Sequence, residues 1–362
     1  MKKVLVVDDS ALMRSVICDI INSDERFHVE DRAIDGLDAL QLLSRKEYDA
    51  VVLDVNMPRM NGLELLQALR DKKISARVVM ASTDTREGAK TTLDALSLGA
   101  IDFVHKPDSH RDCKDGVFNV KLLNILDTVC QSKKPVFEES TYNVEAEKEK
   151  AKKLVDIAAK TSKAIKDRQI VCLASSTGGP KALQDVVPFL PANLKAPVVI
   201  VQHMPVGFTA SLAERLNSIS ECQVKEAEEG EVLQDGHVYI ARGGSHLNVV
   251  SNSGQFKIHY SDEPAREGVK PCANYMYESV ATGIAERVVC VVLTGMGADG
   301  TKGIQHLKTS KKTYVITQNE ETCTVYGMPK AAVNAGLSDC QIPLKSVAQE
   351  IILNVGVGSV NA

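Results

Sequence analysis

The stretch Val4-Leu5-Val6-Val7-Asp8-Asp9 is a short, largely β-branched run that ends in two carboxylates. An amphipathic helical pattern follows at residues 11–21, and the same order returns at residues 51–54 and 63–69. Short apolar runs that alternate with helical stretches are typical of a parallel sheet covered by helices. We therefore predict an α/β fold with a parallel, doubly wound sheet for the first part of the chain.

The alternation continues to about residue 130 and accounts for a compact five-stranded domain. Further strands are predicted at residues 29–33, 77–82 and 101–104, and further helices at 37–43, 88–98 and about 120–130. The character of the chain then changes, because every residue from Glu145 to Lys153 is charged or Ala. Such a run is typical of a solvated connector. We predict a first domain at residues 1–130 and a charged linker at residues 131–168.

A second alternation of strands and helices fills residues 169–362. Its strands are predicted at residues 169–173, 198–202, 288–293 and 313–317. Residues 236–260 are richer in Gly and in alternating side chains, which favours antiparallel hairpins inserted beside the main sheet. We therefore predict a second doubly wound α/β domain with an inserted β-hairpin.

Composition narrows the classes of function. The 362 residues carry a net charge of -4 and have a sequence pI of about 6.1, so no basic field is available to attract nucleic acid. The nine cysteines include no C-x-x-C pair. No run approaches the roughly 18 apolar residues of a membrane span. We expect reduced cysteines, a cytoplasmic location, no membrane insertion, and protein or small-molecule partners rather than nucleic acid.

Acidic side chains follow two strands of the first domain. Asp8 and Asp9 end the first strand and Asp54 ends the third, and in a doubly wound sheet these positions converge at the carboxyl edge. Ser82 ends the fourth strand, and Lys106 follows the fifth. Carboxylates repel each other unless a cation joins them, and oxygen ligands suit Mg²⁺. These residues predict a magnesium site that accepts a phosphoryl group; the alternative is that the Asp residues only cap helices.

A turn of small residues follows the first strand of the second domain. In the stretch Ser175-Ser176-Thr177-Gly178-Gly179-Pro180, the proline favours the start of a helix. Ser176 lies where an exposed hydroxyl would stand beside backbone N–H groups, as in a nucleophile elbow. The same turn is equally suited to cradling a phosphate.

Two more strand ends supply the partners that a nucleophilic serine needs. His203 closes the strand at residues 198–202, and Asp299 lies just beyond the strand at residues 288–293. A serine, a histidine and an aspartate at one sheet edge are the elements of a catalytic triad, which is defined by geometry rather than by chain order. A single histidine at a strand end is, however, more often structural.

The loop that contains Asp299 also fits a different class of site. Residues 295–300 match G-x-G-x-x-G after a strand, and Glu320 and Glu321 follow roughly 20 residues later. That spacing is the fingerprint of dinucleotide binding. On these residues alone, an effector that binds a dinucleotide or a partner without catalysis is the alternative to a serine hydrolase.

The first hundred or so residues resemble the response-regulator receiver family. The resemblance is carried by Asp8-Asp9, Asp54-Val55-Asn56-Met57-Pro58, Ser82-Thr83 and Lys106-Pro107. It implies a flavodoxin-like fold in which Asp54 is the phosphoacceptor and Asp8, Asp9 and Asp54 hold Mg²⁺. It also implies that Ser82 and Lys106 bind the phosphoryl group. Phe103 matches the aromatic switch position of that family.

Residues from about 168 to the end resemble the chemotaxis protein-glutamate methylesterases (CheB). The similar stretches are residues 175–179, 202–205, 207–209, 293–300 and 325–329. The resemblance implies that Ser176 is the nucleophile, His203 its base and Asp299 the residue that orients the base, with Thr177 and Met296 bordering the oxyanion site. It implies demethylation of glutamates on methyl-accepting chemotaxis receptors with release of methanol, glutamine deamidation as a second activity, and no cofactor for the esterase. The implied phosphodonor is a chemotaxis histidine kinase.

Three positions depart from the family pattern. Asn56 stands where Glu is usual, Ala174 stands where Gly is usual, and Pro-Cys-Ala-Asn at residues 271–274 replaces Pro-Ser-Val-Asp. None of these positions is a predicted triad residue. Asn274 leaves the charge of its surroundings open.

Overall fold

A computed structural model of the chain describes residues 1–82, 86–106, 116–135 and 167–358. These residues form two compact units, one within residues 1–139 and the other within residues 140–362. Each unit has its own parallel sheet and its own core of buried apolar side chains. Within the described ranges, no helix is both long enough and apolar enough to cross a membrane. Most of the predicted linker, residues 136–166, lies outside the described residues.

The first unit is built on a five-stranded parallel sheet. Its strands are β1 Lys2–Val7, β2 Phe27–Ala33, β3 Ala50–Asp54, β4 Val78–Ser82 and β5 Asp102–His105. Its helices are α1 Ala11–Asn22, α2 Gly36–Leu43, α3 Gly62–Asp71, α4 Arg86–Leu98 and α5 Val117–Gln131. The strand order β2-β1-β3-β4-β5 confirms the predicted doubly wound, flavodoxin-like fold.

Side-chain caps mark the starts of three helices of this unit, α1, α2 and α3. The Ser10 hydroxyl accepts an N–H of the first turn of α1, and the Asp35 carboxylate accepts two N–H groups of α2. Asn61 and Glu64 form a reciprocal capping box at the start of α3. All three caps lie at the carboxyl edge of the sheet, so they hold in place the loops that surround the strand ends.

The second unit contains two sheets. Its strands are β6 Gln169–Ser175, β7 Val198–Gln202, β8 Gln223–Glu226, β9 His237–Ile240, β10 His246–Asn252, β11 Gln255–Ser261, β12 Arg287–Val292, β13 Lys312–Gln318 and β14 Cys340–Ile342. Its helices are α6 Gly179–Gln184, α7 Phe208–Ile219, α8 Ala273–Thr282, α9 Thr301–Lys308, α10 Met328–Asn334 and α11 Val347–Val355. Seven strands form one parallel sheet in the order β14-β13-β12-β6-β7-β9-β8, and β10 pairs with β11 in an antiparallel hairpin.

The prediction of antiparallel structure over residues 236–260 is right only in part. Strands β10 and β11 form the predicted hairpin. Strand β9, in contrast, pairs in parallel with both β7 and β8, so it belongs to the main sheet. The side chains of β9 are partly or fully buried without alternation, and so short an apolar run does not distinguish a parallel strand from an antiparallel one, which explains the error.

The centre of the larger sheet aligns three strand ends. Strand β6 lies between β12 and β7, with Ala174 opposite Val292 and Ser175 opposite Gln202. Because the three strands are parallel and end at the same level, the residues that follow them meet at one carboxyl edge.

Candidate functional site

The carboxyl edge of the first sheet brings the predicted acidic residues together. One carboxylate oxygen from each of Asp8, Asp9 and Asp54 lies within 4.8 Å of the others, and only Asp9 is exposed. The Nζ atom of Lys106 lies 2.8 Å from Asp8 Oδ2 and 2.7 Å from Asp54 Oδ1. The ammonium group therefore compensates part of the negative charge that the three carboxylates concentrate.

This pocket has the donor set that a magnesium ion requires. Mg²⁺ is held by oxygen ligands, with one or two carboxylates and the oxygens of a phosphoryl group as its usual partners. Burial raises the pKa of Asp54, and the charge of Lys106 opposes that shift. A second cation beside Asp54 would oppose it further, so the three carboxylates fit a divalent ion.

The remaining predicted receiver residues lie on the adjacent strands β4 and β5, with Ser82 at the end of β4 and Phe103 within β5. Ser82 ends β4 and is buried, and its carbonyl oxygen accepts the N–H of Lys106 at 2.8 Å. The Phe103 ring is buried with its edge towards the His105 ring, at a centroid separation of 5.7 Å. Asn56, one of the departures, is exposed. Thr83 and Pro107 of the receiver motifs lie outside the described residues.

The turn after β6 presents Ser176 at the centre of the second sheet. The Ser176 N–H donates to the carbonyl oxygen of Thr294 at 3.0 Å, and its carbonyl oxygen accepts the N–H of Gly179 at 2.7 Å. Gly178 has φ of 77°, and a Cβ at this position would lie 2.7 Å from the Cβ of Thr324. Only glycine fits this backbone and this space, and the turn leads directly into α6.

The two neighbouring serines differ in their surroundings. Ser175 is fully buried, and its hydroxyl donates to Gln202 Oε1 at 2.6 Å. Ser176 is partly exposed, and its hydroxyl forms no hydrogen bond with any residue that the structure describes. Ser176 is therefore the hydroxyl that a substrate can reach.

His203 and Asp299 are in direct contact at the same edge. The distance between His203 Nε2 and Asp299 Oδ2 is 2.7 Å, and the side chains are 10% and 3% exposed. His203 follows β7 and Asp299 lies in the loop after β12, with the Ser176 strand between them. Because Asp299 binds Nε2, the imidazole nitrogen that remains for Ser176 is Nδ1.

The Asp299 carboxylate also caps the N-terminus of α8. Besides the imidazole, it accepts the N–H groups of Ala273 at 2.6 Å, Asn274 at 2.9 Å and Gly300 at 2.8 Å, and the thiol of Cys272 at 3.0 Å. Burial alone would raise the pKa of Asp299, but the hydrogen bonds from the imidazole, the thiol and the backbone outweigh it and lower the pKa to about 2. The carboxylate is therefore ionised at neutral pH.

The two predicted oxyanion residues lie on loops that touch each other. Thr177 is buried and follows Ser176, whereas Met296 is 47% exposed in the loop after β12. The Thr294 hydroxyl donates to the Thr177 carbonyl oxygen at 3.0 Å. A Cβ on Gly295 would lie 2.7 Å from the Ser176 Cβ, so the two loops are packed closely beside the serine.

The geometry also bears on the dinucleotide alternative. Residues 295–300 do follow a strand and precede α9, as the fingerprint requires. Asp299 within this stretch is bound by the imidazole of His203 and by the start of α8. The loop therefore holds the Asp299 carboxylate against His203, which does not favour its use as a dinucleotide-binding turn.

Sequence reasoning did not find the residues that support the triad. His246 is fully buried beside the start of α8: its Nδ1 accepts the N–H of Cys272 at 3.2 Å, and its Nε2 lies 3.2 Å from the Pro264 carbonyl oxygen. Burial, followed by the neighbouring Asp299, raises the pKa of the Cys272 thiol to about 12, which keeps it a donor to Asp299. The only local signal for Gln202 was its position directly before His203.

The two sites together define a class of protein in which an acidic receiver-type pocket accompanies a serine-hydrolase arrangement. The CheB methylesterase profile matches residues 171–351, and the response regulator receiver domain profile matches residues 4–117. The chain belongs to the CheB methylesterase family and carries a response regulator receiver domain.

Relatives match along nearly the whole chain. A protein-glutamate methylesterase/protein-glutamine glutaminase of Geobacillus kaustophilus is 43% identical over 356 residues, which are 98% of this chain and 99% of the relative. The Bacillus subtilis protein of the same name is 41% identical over 349 residues, which are 93% of this chain and 94% of the relative. The solved CheB methylesterase catalytic domain of Thermotoga maritima is 42% identical, covers 51% of this chain and 98% of its own length, and superposes with a TM-score of 0.50.

Proposed function

We propose that this protein is a phosphorylation-regulated protein-glutamate methylesterase. It hydrolyses γ-glutamyl methyl esters on methyl-accepting chemotaxis receptors, releases methanol, and deamidates receptor glutamines as a second activity. The observation that carries the proposal is the 2.7 Å contact between His203 and Asp299 beside the strand end that presents Ser176. The names of the full-length relatives supply the substrate class.

The proposed reaction follows the template of the serine–histidine–aspartate triad, except that the imidazole atom acting as base is Nδ1 instead of Nε2. The Ser176 hydroxyl attacks the ester carbonyl while His203 Nδ1 accepts its proton. The imidazolium then protonates the departing methoxide, so methanol leaves and an acyl-enzyme remains. Water attacks the acyl-enzyme, gives its proton to Nδ1, and releases the glutamate as Ser176 regains its hydrogen.

Asp299 holds the imidazole in the tautomer that this reaction needs. With its pKa lowered to about 2, the carboxylate stays ionised and accepts a hydrogen bond from the N–H at Nε2. Nδ1 is then left without a hydrogen and serves as the base. The same negative charge stabilises the imidazolium after proton transfer.

Thr177 and Met296 are proposed to border the oxyanion site. The support is the close packing of their two loops beside Ser176, with the Thr294 hydroxyl bound to the Thr177 carbonyl oxygen. Donors fixed before the reaction stabilise the oxyanion without reorganisation. The proposed chemistry uses no cofactor in this domain.

The receiver domain is proposed to switch the esterase. Asp54 accepts a phosphoryl group from a chemotaxis histidine kinase. Asp8, Asp9 and Asp54 would hold a Mg²⁺ ion, which would compensate negative charge at this site. Ser82 and Lys106 bind the phosphoryl oxygens, and Phe103 is the switch residue. The support is the clustering of the three carboxylates with Lys106.

The domain boundaries and the location complete the proposal. We assign the receiver to residues 1–130, the linker to 131–168 and the esterase to 169–362. We place the reaction in the cytoplasm, since the eight cysteines among the described residues are free, as is usual in a reducing compartment.

The test is labelling with a fluorophosphonate, together with methanol release from methylated receptor membranes. The wild-type protein should be labelled and should release methanol, and Ser176→Ala should do neither. Ser218→Ala is the matched control, because Ser218 is an exposed serine of the same unit on α7. Near-normal methanol release by a folded Ser176→Ala protein would refute the proposal.

A further inference from the structure

The side chain of Gln202 touches both proposed catalytic strand ends. Gln202 is the last residue of β7 and is only 1% exposed. Its Oε1 accepts the Ser175 hydroxyl at 2.6 Å. Its Nε2 donates to the carbonyl oxygen of Ser176 at 3.0 Å and to that of His203 at 3.2 Å. One buried amide thus bridges the main chain of the nucleophile and that of the base.

The chemistry of the partners allows only one orientation of this amide. The two carbonyl oxygens of Ser176 and His203 can only accept, so they require the NH₂ side of Gln202. The Ser175 hydroxyl can donate, and it satisfies the oxygen side. A flipped amide would direct its oxygen at two carbonyl oxygens in a buried space, which costs free energy.

The surroundings leave the amide no room to move. The β6 and β7 ladder ends with Ser175 opposite Gln202, and the His203 N–H donates to the Ser175 carbonyl oxygen at 3.0 Å. A Cβ on Gly179 would lie 2.0 Å from Gln202 Oε1, so the start of α6 is packed directly against the amide. The amide is therefore a rigid brace at the point where the ladder stops.

We propose that Gln202 is a positioning residue for the esterase, whose amide sets the separation between the Ser176 turn and His203. The inference rests on the proposed function, because it gives Gln202 a task in serine chemistry. Proton transfer needs the hydroxyl within about 2.6–3.2 Å of the imidazole nitrogen. A misplacement of about 1 Å can cost about 100-fold in rate, so the brace affects turnover more than substrate binding.

The test compares Gln202→Leu with Gln169→Leu. Gln169 is a matched control: it is a buried glutamine at the opposite end of β6, and its amide donates to the Val355 carbonyl oxygen at 2.9 Å. Gln202→Leu should lower kcat for methanol release and the rate of fluorophosphonate labelling by about thirty-fold each, with KM changed less than about three-fold. Gln169→Leu should lower the melting temperature and leave kcat of the folded protein unchanged.

A second variant covers the case in which Gln202→Leu does not fold. Ser175→Ala removes the hydroxyl that orients the amide but leaves both donor bonds, so kcat should fall by about three- to ten-fold with the fold intact. Wild-type labelling at Ser176 is required throughout, and its failure would refute the proposed function. If the wild-type protein is labelled and the folded Gln202 and Ser175 variants are labelled equally fast, or if Gln169→Leu lowers kcat as much, the positioning role is wrong while the esterase stands.

Discussion

The Nε2 atom of His203 lies 2.7 Å from Oδ2 of Asp299, which leaves Nδ1 as the nitrogen available to Ser176. In the chymotrypsin template the aspartate binds Nδ1 and the serine faces Nε2. In this protein the aspartate binds Nε2 instead. Since a triad is defined by the roles of its members, the proposed reaction uses Nδ1 as the base in place of Nε2.

The first prediction concerns the coupling of the triad residues. His203→Ala and Ser176→Ala should each lower kcat by at least about 1000-fold, and the double variant should be little slower than either single one, because the residues act as one unit. Methanol release from methylated receptor membranes measures this, with far-UV circular dichroism as the check on folding. Losses that multiply in the double variant would show that the two residues act independently.

The second prediction concerns acid stability. The pKa of Asp299 is lowered from 3.8 to about 2 on folding, so its contribution to stability is complete above about pH 4 and is lost as the pH falls to 2. The difference in unfolding free energy between wild type and Asp299→Asn should therefore narrow by about 2 kcal/mol between pH 5 and pH 2. Urea titrations at several pH values measure it. Asp262→Asn is the control, since the Asp262 side chain is 95% exposed, and an equal narrowing there would contradict the prediction.

The third prediction concerns phosphorylation of the receiver. Acetyl phosphate should add one phosphoryl group to the wild-type protein only when Mg²⁺ is present, and Asp54→Asn should abolish the addition. Asp9→Asn should weaken it, because the ion loses the exposed member of its carboxylate cluster. Intact-mass spectrometry measures the product, with Asp24→Asn, at the far edge of the unit, as control. Equal phosphorylation in a metal chelator would disprove the magnesium site.

The fourth prediction concerns the effect of placing a negative charge at Asn274, where the family usually has Asp. Asn274 is fully buried, its Oδ1 accepts the N–H of Gly303 at 2.7 Å, and its Nδ2 donates to Glu267 Oε1 at 3.2 Å. Asn274→Asp would set two carboxylates against each other and should cost about 1–3 kcal/mol of stability at pH 7. The repulsion raises the pKa of the pair, so the loss should shrink as the pH falls and the pair binds a proton.

Urea unfolding at pH 7 and pH 5 measures this effect. Adding Glu267→Gln to the Asn274→Asp variant removes one of the two charges and should restore most of the lost stability. If Asn274→Asp loses the same stability at both pH values and with or without Glu267→Gln, repulsion between the two carboxylates is not the cause of the loss.

The fifth prediction concerns the action of the receiver. We expect the unphosphorylated receiver to inhibit the esterase, so deletion of residues up to Gln131 should raise basal methanol release. A differential stabilisation of ~2 kcal/mol between inhibited and released states gives about a thirty-fold change in their ratio. Phosphodonor should activate the full-length protein, and Asp54→Asn should block that activation. If the isolated esterase domain releases methanol no faster than the unphosphorylated full-length protein, the receiver does not inhibit the esterase and must instead activate it by direct contact.

Much of the architecture is predictable from local pattern. Strand β7 has the predicted bounds, residues 198–202, and β3 begins one residue earlier than predicted. These predictions succeed because continuous apolar runs identify buried strands in a parallel sheet. Strands β8 and β14 were not predicted, since each is short and partly polar. Burial patterns this brief do not separate a strand from a loop.

The site was predictable only at the level of residue type and strand end. Ser176, His203 and Asp299 follow adjacent strands, and parallel topology alone brings such residues together. Which imidazole nitrogen binds Asp299 depends on the ring's direction of approach, which no spacing encodes. The contacts of Cys272 and Gln202 join residues that are about 26 to 27 positions apart, so no local pattern reveals them.

The wide spacing of the triad along the chain has a consequence for biosynthesis. The contact between His203 and Asp299 spans 96 positions, and it requires β12 to join a sheet whose central strands were made much earlier. Contacts of such long range form late, because the closure of a long loop precedes any stabilisation from it. A growing or half-folded chain therefore carries Ser176 and His203 without the carboxylate that orients the imidazole, and the proposed triad is complete only after β12 has joined the sheet.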